Sequence, residues 1–191
     1  MQDKQQKEEH RIILYTDGSC TSNGCGASAK AGIGVYEKQD SKYNLSEGWR
    51  PELGAQTNQR AELVAAIRAL EITQCAKFPG ENLVLEIRSD SIYLVRGITE
   101  WIKTWKRNGW KSSAKKPVAN ADLWNRLDAL SATHPAGKIV WTHVRGHATD
   151  EGNAMADRFA TAASSSPPEI AKRPRSPTLS PEGFLQKRMK L

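Results

Sequence analysis

Ile12-Ile13-Leu14-Tyr15-Thr16-Asp17 decides the fold: an apolar, β-favouring run that ends on a carboxylate and is followed by Gly18. The same design returns at Leu83-Val84-Leu85-Glu86-Ile87-Arg88-Ser89-Asp90, with Ser91 as the small residue after it. Leu83, Leu85 and Ile87 alternate along one face, and Val84 makes the other face apolar too, so this strand is expected inside a sheet. Side chains at the carboxyl ends of neighbouring parallel strands share a crevice. Asp17 and Asp90 are therefore expected to meet.

Outward from these strands the chain reads as one mixed α/β domain over residues 11–163. A Gly- and Ser-rich loop over 18–32 follows the first strand, then a strand over 33–37 and a weaker one over 43–49. These three suit an antiparallel meander. Thr57 is a good N-cap, and Leu63, Ala66, Ile67 and Leu70 recur at helical spacing after it, which places Glu62 in the first turns. Pro79-Gly80 marks a turn before the Leu83 strand. Residues 91–110 read as one or two short helices broken near Gly97, and 111–120 as a polar loop. Leu123, Leu127 and Leu130 define a further helix. A last strand covers 139–143 and a last helix 152–163, on which Asp157 lies. The order β-β-β-α-β-α-α-β-α predicts an antiparallel meander continued by parallel strands on right-handed crossovers.

The 191 residues carry a net charge of +7, which favours polyanionic partners. Cys20, Cys25 and Cys75 are odd in number and have no zinc-like spacing, which points to a reducing compartment. No apolar run approaches membrane-spanning length, and no membrane partner is expected. Residues 1–10 read as a disordered leader with neither signal- nor transit-peptide character. Residues 164–191 are rich in Ser and Pro and read as a disordered tail. Lys172-Arg173-Pro174-Arg175 and Lys187-Arg188-Met189-Lys190 in that tail form two basic clusters of the nuclear-localisation type, suited to an import receptor.

Asp17, Glu62, Asp90 and Asp157 come from four scattered segments. Taken singly, each reads most simply as a cap or a solvated charge. Converging carboxylates repel one another unless cations lie between them, and oxygen-only ligand sets suit Mg²⁺ or Mn²⁺ rather than zinc. An acidic knot in a basic chain points to a two-metal phosphodiester-cleaving centre. A second informative stretch runs from Trp101 to Lys116: Trp101, Trp105 and Trp110 are interleaved with Lys103, Lys106, Arg107, Lys111, Lys115 and Lys116, and no acid falls between Glu100 and Asp122. Trp101 and Trp105 lie one helical turn apart. The stretch reads as a basic handle for a nucleic-acid backbone, with one of its three tryptophans in the core.

Five blocks now stand in order: Tyr15-Thr16-Asp17-Gly18-Ser19; Thr57-Asn58-Gln59-Arg60-Ala61-Glu62; Ser89-Asp90-Ser91; Val144-Arg145-Gly146-His147; and Gly152-Asn153-Ala154-Met155-Ala156-Asp157. Together they resemble type 1 ribonuclease H over about residues 11–163. Asn108-Gly109-Trp110-Lys111-Ser112-Ser113 and Ser22-Asn23-Gly24 look like the eukaryotic branch. The resemblance implies a five-stranded mixed sheet, order 3-2-1-4-5, flanked by helices. It implies endonucleolytic cleavage of the RNA strand of an RNA/DNA hybrid, leaving 5′-phosphate and 3′-hydroxyl ends, with two Mg²⁺ ions that Mn²⁺ can replace. Asp17, Glu62, Asp90 and Asp157 match the metal-binding carboxylates, and His147 the loop histidine that assists proton transfer or product departure.

The resemblance also implies the hybrid contacts. Trp101 and Trp105 match channel aromatics; Lys106, Lys111 and Ser113 fall on the family's basic protrusion. Thr57 and Asn120 match a DNA-phosphate pocket, and Asn23, Asn58 and Gln59 match minor-groove contacts suited to the 2′-hydroxyl. One departure is Ala55, where close relatives carry an arginine in that pocket; either the grip is weaker or another cation substitutes. Ten leader residues are too few for the separate N-terminal hybrid-binding domain of many eukaryotic members, so lower processivity is expected. The expected state is a monomer, nuclear or nucleocytoplasmic, with mitochondrial residence left open. Two other readings compete. A non-catalytic hybrid-binding module of the same fold conflicts with the intact carboxylate set. An integrase- or resolvase-like enzyme would lack the Trp- and Lys-rich handle.

Overall fold

A computed structural model describes residues 10–23, 25–74, 83–136, 138–146 and 150–165. Its strands are β1 (His10–Thr21), β2 (Lys30–Tyr36), β3 (Leu45–Gly48), β4 (Leu83–Ser89) and β5 (Lys138–His143). Its helices are α1 (Asn58–Gln74), α2 (Ile92–Arg96), α3 (Ile102–Arg107), α4 (Ala121–Thr133) and α5 (Glu151–Ser165). The sheet order is β3-β2-β1-β4-β5, antiparallel across the first three strands and parallel from β1 to β5, as the sequence predicts. Among the described residues no helix is long and apolar enough to cross a membrane.

The two faces of the sheet are packed differently. Leu14, Ile33, Leu85 and Ile87 are fully buried with Leu63, Ile67 and Leu70 of α1 in the main hydrophobic core. On the face towards α5, two glycines of β2 make the closest approach. A Cβ on Gly34 would lie 2.0 Å from the backbone oxygen of Ala156, and one on Gly32 would lie 2.2 Å from that of Ala160. These glycines let the α5 backbone lie almost directly on β2. Gly34 is the register partner of Asp17, so the same close approach carries Asp157 towards Asp17.

Several boundaries differ from the sequence expectation: β1 begins at His10, inside the stretch read as a leader, and α5 runs to Ser165, into the stretch read as a tail, with Ser164 buried. β1 does not end at Asp17 but continues to Thr21. Its last parallel pair with β4 is Tyr15↔Arg88, while β2 goes on pairing it through Thr21↔Lys30, so one edge sustains the strand after the other has parted. The loop expected over 18–32 shrinks accordingly, and β2 begins at Lys30. The break expected at Gly97 is a π-helical turn (Gly97–Trp101) that joins α2 directly to α3. Glycine is required there by packing: a Cβ would lie 2.1 Å from Cη2 of the fully buried Trp124.

Candidate active site

The crevice opens where β1 and β4 part. Asp17 lies just beyond their last pair, and Asp90 follows the end of β4. α1 brings in Glu62 because its first turn is pressed against β1 at Gly18, where a Cβ would lie 2.2 Å from the Glu62 nitrogen. Carboxylate oxygens of Asp17, Glu62 and Asp90 all lie within 4.8 Å of one another. Asp157 lines the same cleft, of about 580 Å³, together with Asn58, Arg145, Asp150 and Asn153. It stands outside the three-residue cluster.

The electrostatics follow from this crowding. Burial, then the charges of Asp90 and Asp157, push the Asp17 carboxyl from 3.8 up to about 7, against a lowering hydrogen bond from the Gly18 N–H. Burial and the charges of Asp17 and Asp90 hold Glu62 well above the usual carboxylate range. Oε2 of Glu62 is buried with no hydrogen-bond partner among the described residues. A dense, all-oxygen donor set with an orphaned buried oxygen lacks positive charge, and hard divalent cations supply it. The residues present therefore fit a metal centre.

A second set of residues holds this centre in place. Asp150 caps α5, its Oδ1 accepting from the N–H groups of Gly152 (3.0 Å) and Asn153 (3.3 Å). Tyr15 anchors the same turn. Its hydroxyl accepts from Arg88 Nη1 at 3.0 Å, and its ring fills the space where a Gly152 side chain would stand. Asn153 donates from Nδ2 to Oδ2 of Asp90 at 3.1 Å. Sequence reading assigned no role to Tyr15, Arg145, Asp150 or Asn153. Only Asn153 carried a usable signal, standing four residues before Asp157 and hence on the same helix face. His147 lies outside the described residues.

The expected hybrid contacts form two groups. Near the cleft, Asn23 Oδ1 accepts from the N–H of Asn58 (3.1 Å), and Thr57 Oγ1 caps α1 by accepting from the N–H of Arg60 (3.3 Å). Asn58 and Gln59 are exposed, and Asn58 faces the cleft. Further out, the rings of Trp101 and Trp105 lie 5.8 Å apart at a tilt of 57°, and Trp105 packs 5.4 Å from Trp124. Of the three tryptophans from which one core residue is expected, Trp105 and Trp110 pack against the core, though none is fully buried. All three are half-buried, and the fully buried indole is Trp124. Lys111 and Ser113 are exposed, whereas Lys106 pairs with Asp128 at 2.5 Å, which offsets part of its charge.

Asn120 stands at positive φ (58°) before α4 and has both ends of its amide in use. Nδ2 donates to the Tyr93 hydroxyl (3.2 Å), and Oδ1 accepts from Arg60 Nη1 (3.3 Å). Ala55 is exposed, and the guanidinium beside Thr57 and Asn120 is that of Arg60. Arg60 is already bound by Asp122 (2.7 and 3.0 Å) and the Leu53 carbonyl, so it does not replace the arginine absent at 55 as a free cation.

The sequence profile of the RNase H family matches residues 9–165. The ribonuclease H of Thermosynechococcus vestitus is 44% identical over 171 residues, covering 89% of this chain and 98% of that one. That of Ruthia magnifica is 41% identical over 155 residues, covering 81% and 95%. Among solved structures, LC9-RNase H1, described as a type 1 RNase H with the type 2 active-site motif, superposes with a TM-score of 0.61 at 25% identity, covering 83% of this chain and 74% of that one. The PFV RNase H domain superposes at 0.59 with 28% identity, covering 82% and 96%. With the profile spanning most of the chain and relatives above 40% identity aligned over nearly their full length, the chain belongs to the type 1 ribonuclease H family.

Proposed function

We propose that this ribonuclease H hydrolyses the RNA strand of RNA/DNA hybrids at a centre of two Mg²⁺ ions, for which Mn²⁺ can substitute. The observation that carries the reading is the triangle of Asp17, Glu62 and Asp90 oxygens within 4.8 Å, in a family of metal-dependent nucleases. Asp17, Glu62, Asp90 and Asp157 would hold the ions. When bound, such ions activate a water and stabilise the departing 3′ oxygen of an in-line displacement. The water oxygen joins phosphorus, the P–O3′ bond breaks and a proton reaches O3′, leaving 3′-hydroxyl and 5′-phosphate ends.

The chain's own groups do the rest. Burial of Asp17 on β1, and of Glu62 where α1 presses against Gly18, fixes the two carboxylates before substrate arrives. His147 moves a proton or hastens product departure. Asn23, Asn58 and Gln59 recognise the 2′-hydroxyl, and Trp101, Trp105, Lys111 and Ser113 grip the partner strand, with Lys106, Thr57 and Asn120 supporting that surface.

The test gives the purified protein Mg²⁺ and labelled RNA/DNA, RNA/RNA, DNA/DNA and single-stranded RNA, plus a duplex with one embedded ribonucleotide. Cleavage of RNA/DNA alone is expected. Full activity in chelator, or efficient cutting at the lone ribonucleotide, overturns the reading. Asp17→Asn is expected to abolish cleavage and to leave hybrid binding largely in place, which separates the enzyme from a non-catalytic binding module.

In the same proposal the catalytic domain, read from the sequence as 11–163 and extended to 10–165 by β1 and α5, works as a monomer and belongs to the eukaryotic branch. The support for that branch is Asn108–Ser113 with Ser22-Asn23-Gly24, although the relatives named above are bacterial. The two basic clusters of residues 164–191 support nuclear residence through an import receptor. A fluorescent reporter carrying that segment, compared with one in which the six basic residues are neutralised, tests it.

A further inference from the structure

We infer that Asn153 is a positioning residue of the metal centre: its amide nitrogen fixes Asp90, and its amide oxygen accepts a hydrogen bond from a water on the bound cation. The inference rests on the metal reading above and adds a residue to it.

Asn153 is 4% exposed, and its Nδ2 donates to Oδ2 of Asp90 at 3.1 Å. An ionised carboxylate only accepts, so the amide nitrogen must face Asp90 and the amide oxygen must face elsewhere. That oxygen, Oδ1, is buried and has no hydrogen-bond partner among the described residues. A buried amide oxygen calls for a donor. Asn153 lines a cleft with Asp17, Glu62, Asp90, Asp150 and Asp157, acceptors when ionised, and the donors that share it, Ser19, Asn58 and Arg145, do not bond the amide oxygen. The donor these surroundings supply is the water of a cation held by the same carboxylates.

The amide is placed for this by the fold. The Asp150 cap holds its backbone N–H, so the first turn of α5 cannot fray away from Asp90. Asp157 follows four residues later, so one helix face presents both a carboxylate and the amide. Asp90 is also walled by Gly146, where a Cβ would lie 2.7 Å from the same Oδ2. With Gly146 and Asn153 both against that oxygen, little freedom remains for the Asp90 carboxylate. Groups that hydrogen-bond a metal-ligating side chain typically change metal affinity by about 10–100-fold when removed.

The experiment is isothermal titration of the full chain with Mg²⁺, without nucleic acid, for wild type and Asn153→Ala, alongside melting in chelator. Asn153→Ala is expected to weaken Mg²⁺ binding by about tenfold or more and to shrink the Mg²⁺-induced rise in melting temperature. Unchanged Mg²⁺ affinity with a lower melting point in chelator would mean that Asn153 only packs α5, and it overturns the inference. If the variant does not fold, the side-chain amide resonance of Asn153 in wild type decides. It is expected to shift on Mg²⁺ saturation, and a resonance that stays in place overturns the inference. A wild type that binds no Mg²⁺ and cleaves in chelator brings down the underlying metal reading as well, a failure distinct from the two before it.

Discussion

Replacing Asp17 by asparagine should destroy the enzyme and stabilise the metal-free protein. The Asp17 carboxyl sits 8% exposed beside Asp90 and Asp157, and its pKa is raised from 3.8 to about 7. Each pKa unit corresponds to about 1.36 kcal/mol, so ionising Asp17 in the folded, metal-free protein costs about 4 kcal/mol at most. The sign is that of an acid raised by folding. The penalty is absent below pH 3.8, grows as pH rises through the window up to about 7, and is constant above it. Asparagine carries no charge and removes the penalty. Allowing for water entering the cleft, Asp17→Asn should gain about 2–4 kcal/mol at pH 8.5 in chelator, or roughly 5–15 °C in melting temperature for a domain of this size. Urea and thermal unfolding in chelator at pH 4 and pH 8.5 provide the assay. Saturating Mg²⁺ should narrow or reverse the gap, because wild type is stabilised by binding and the variant has lost a ligand. A variant no more stable than wild type at pH 8.5, or equally stabilised at pH 4, would refute the reasoning.

Three further outcomes are expected. Mg²⁺ affinity measured by titration calorimetry should rise with pH through about 7, because Asp17 must release its proton to act as a ligand, as must Glu62, whose carboxyl is also held high. Gly34→Ala should cost about 3 kcal/mol or more in urea unfolding, since the new methyl meets the backbone of Ala156 at 2.0 Å and of Ala160 at 2.8 Å and cannot push a flexible side chain aside. Arg145 is exposed on the cleft and has no ion-pair partner among the described residues. Arg145→Ala should therefore weaken hybrid binding in an Asp17→Asn background and lower the slope of log K against log salt by about one, with stability unchanged.

The elements that the sequence revealed are those whose signals are local. Leu83 to Ser89 is a strand in the structure over those residues, because period-two alternation needs only neighbours. Thr57 caps α1 as expected, since capping is settled within one turn. Where the reading failed, a distant contact decided. Gly97 looks like a breaker in sequence, and it is glycine because the Trp124 indole occupies its side-chain space. Asp17 looks like a strand end, yet β2 carries the strand four residues further.

The four carboxylates, the basic tryptophan handle and the family they point to were all legible in the chain, because residue identity, order and periodicity are properties of the polymer itself. The tertiary structure alone decided that three of those carboxylates share one small volume and that Asn153, Tyr15 and Asp150 hold the site together. The reason is distance: α5 can lie on the sheet only where Gly32 and Gly34 leave room, and that approach sets which side chains reach the crevice.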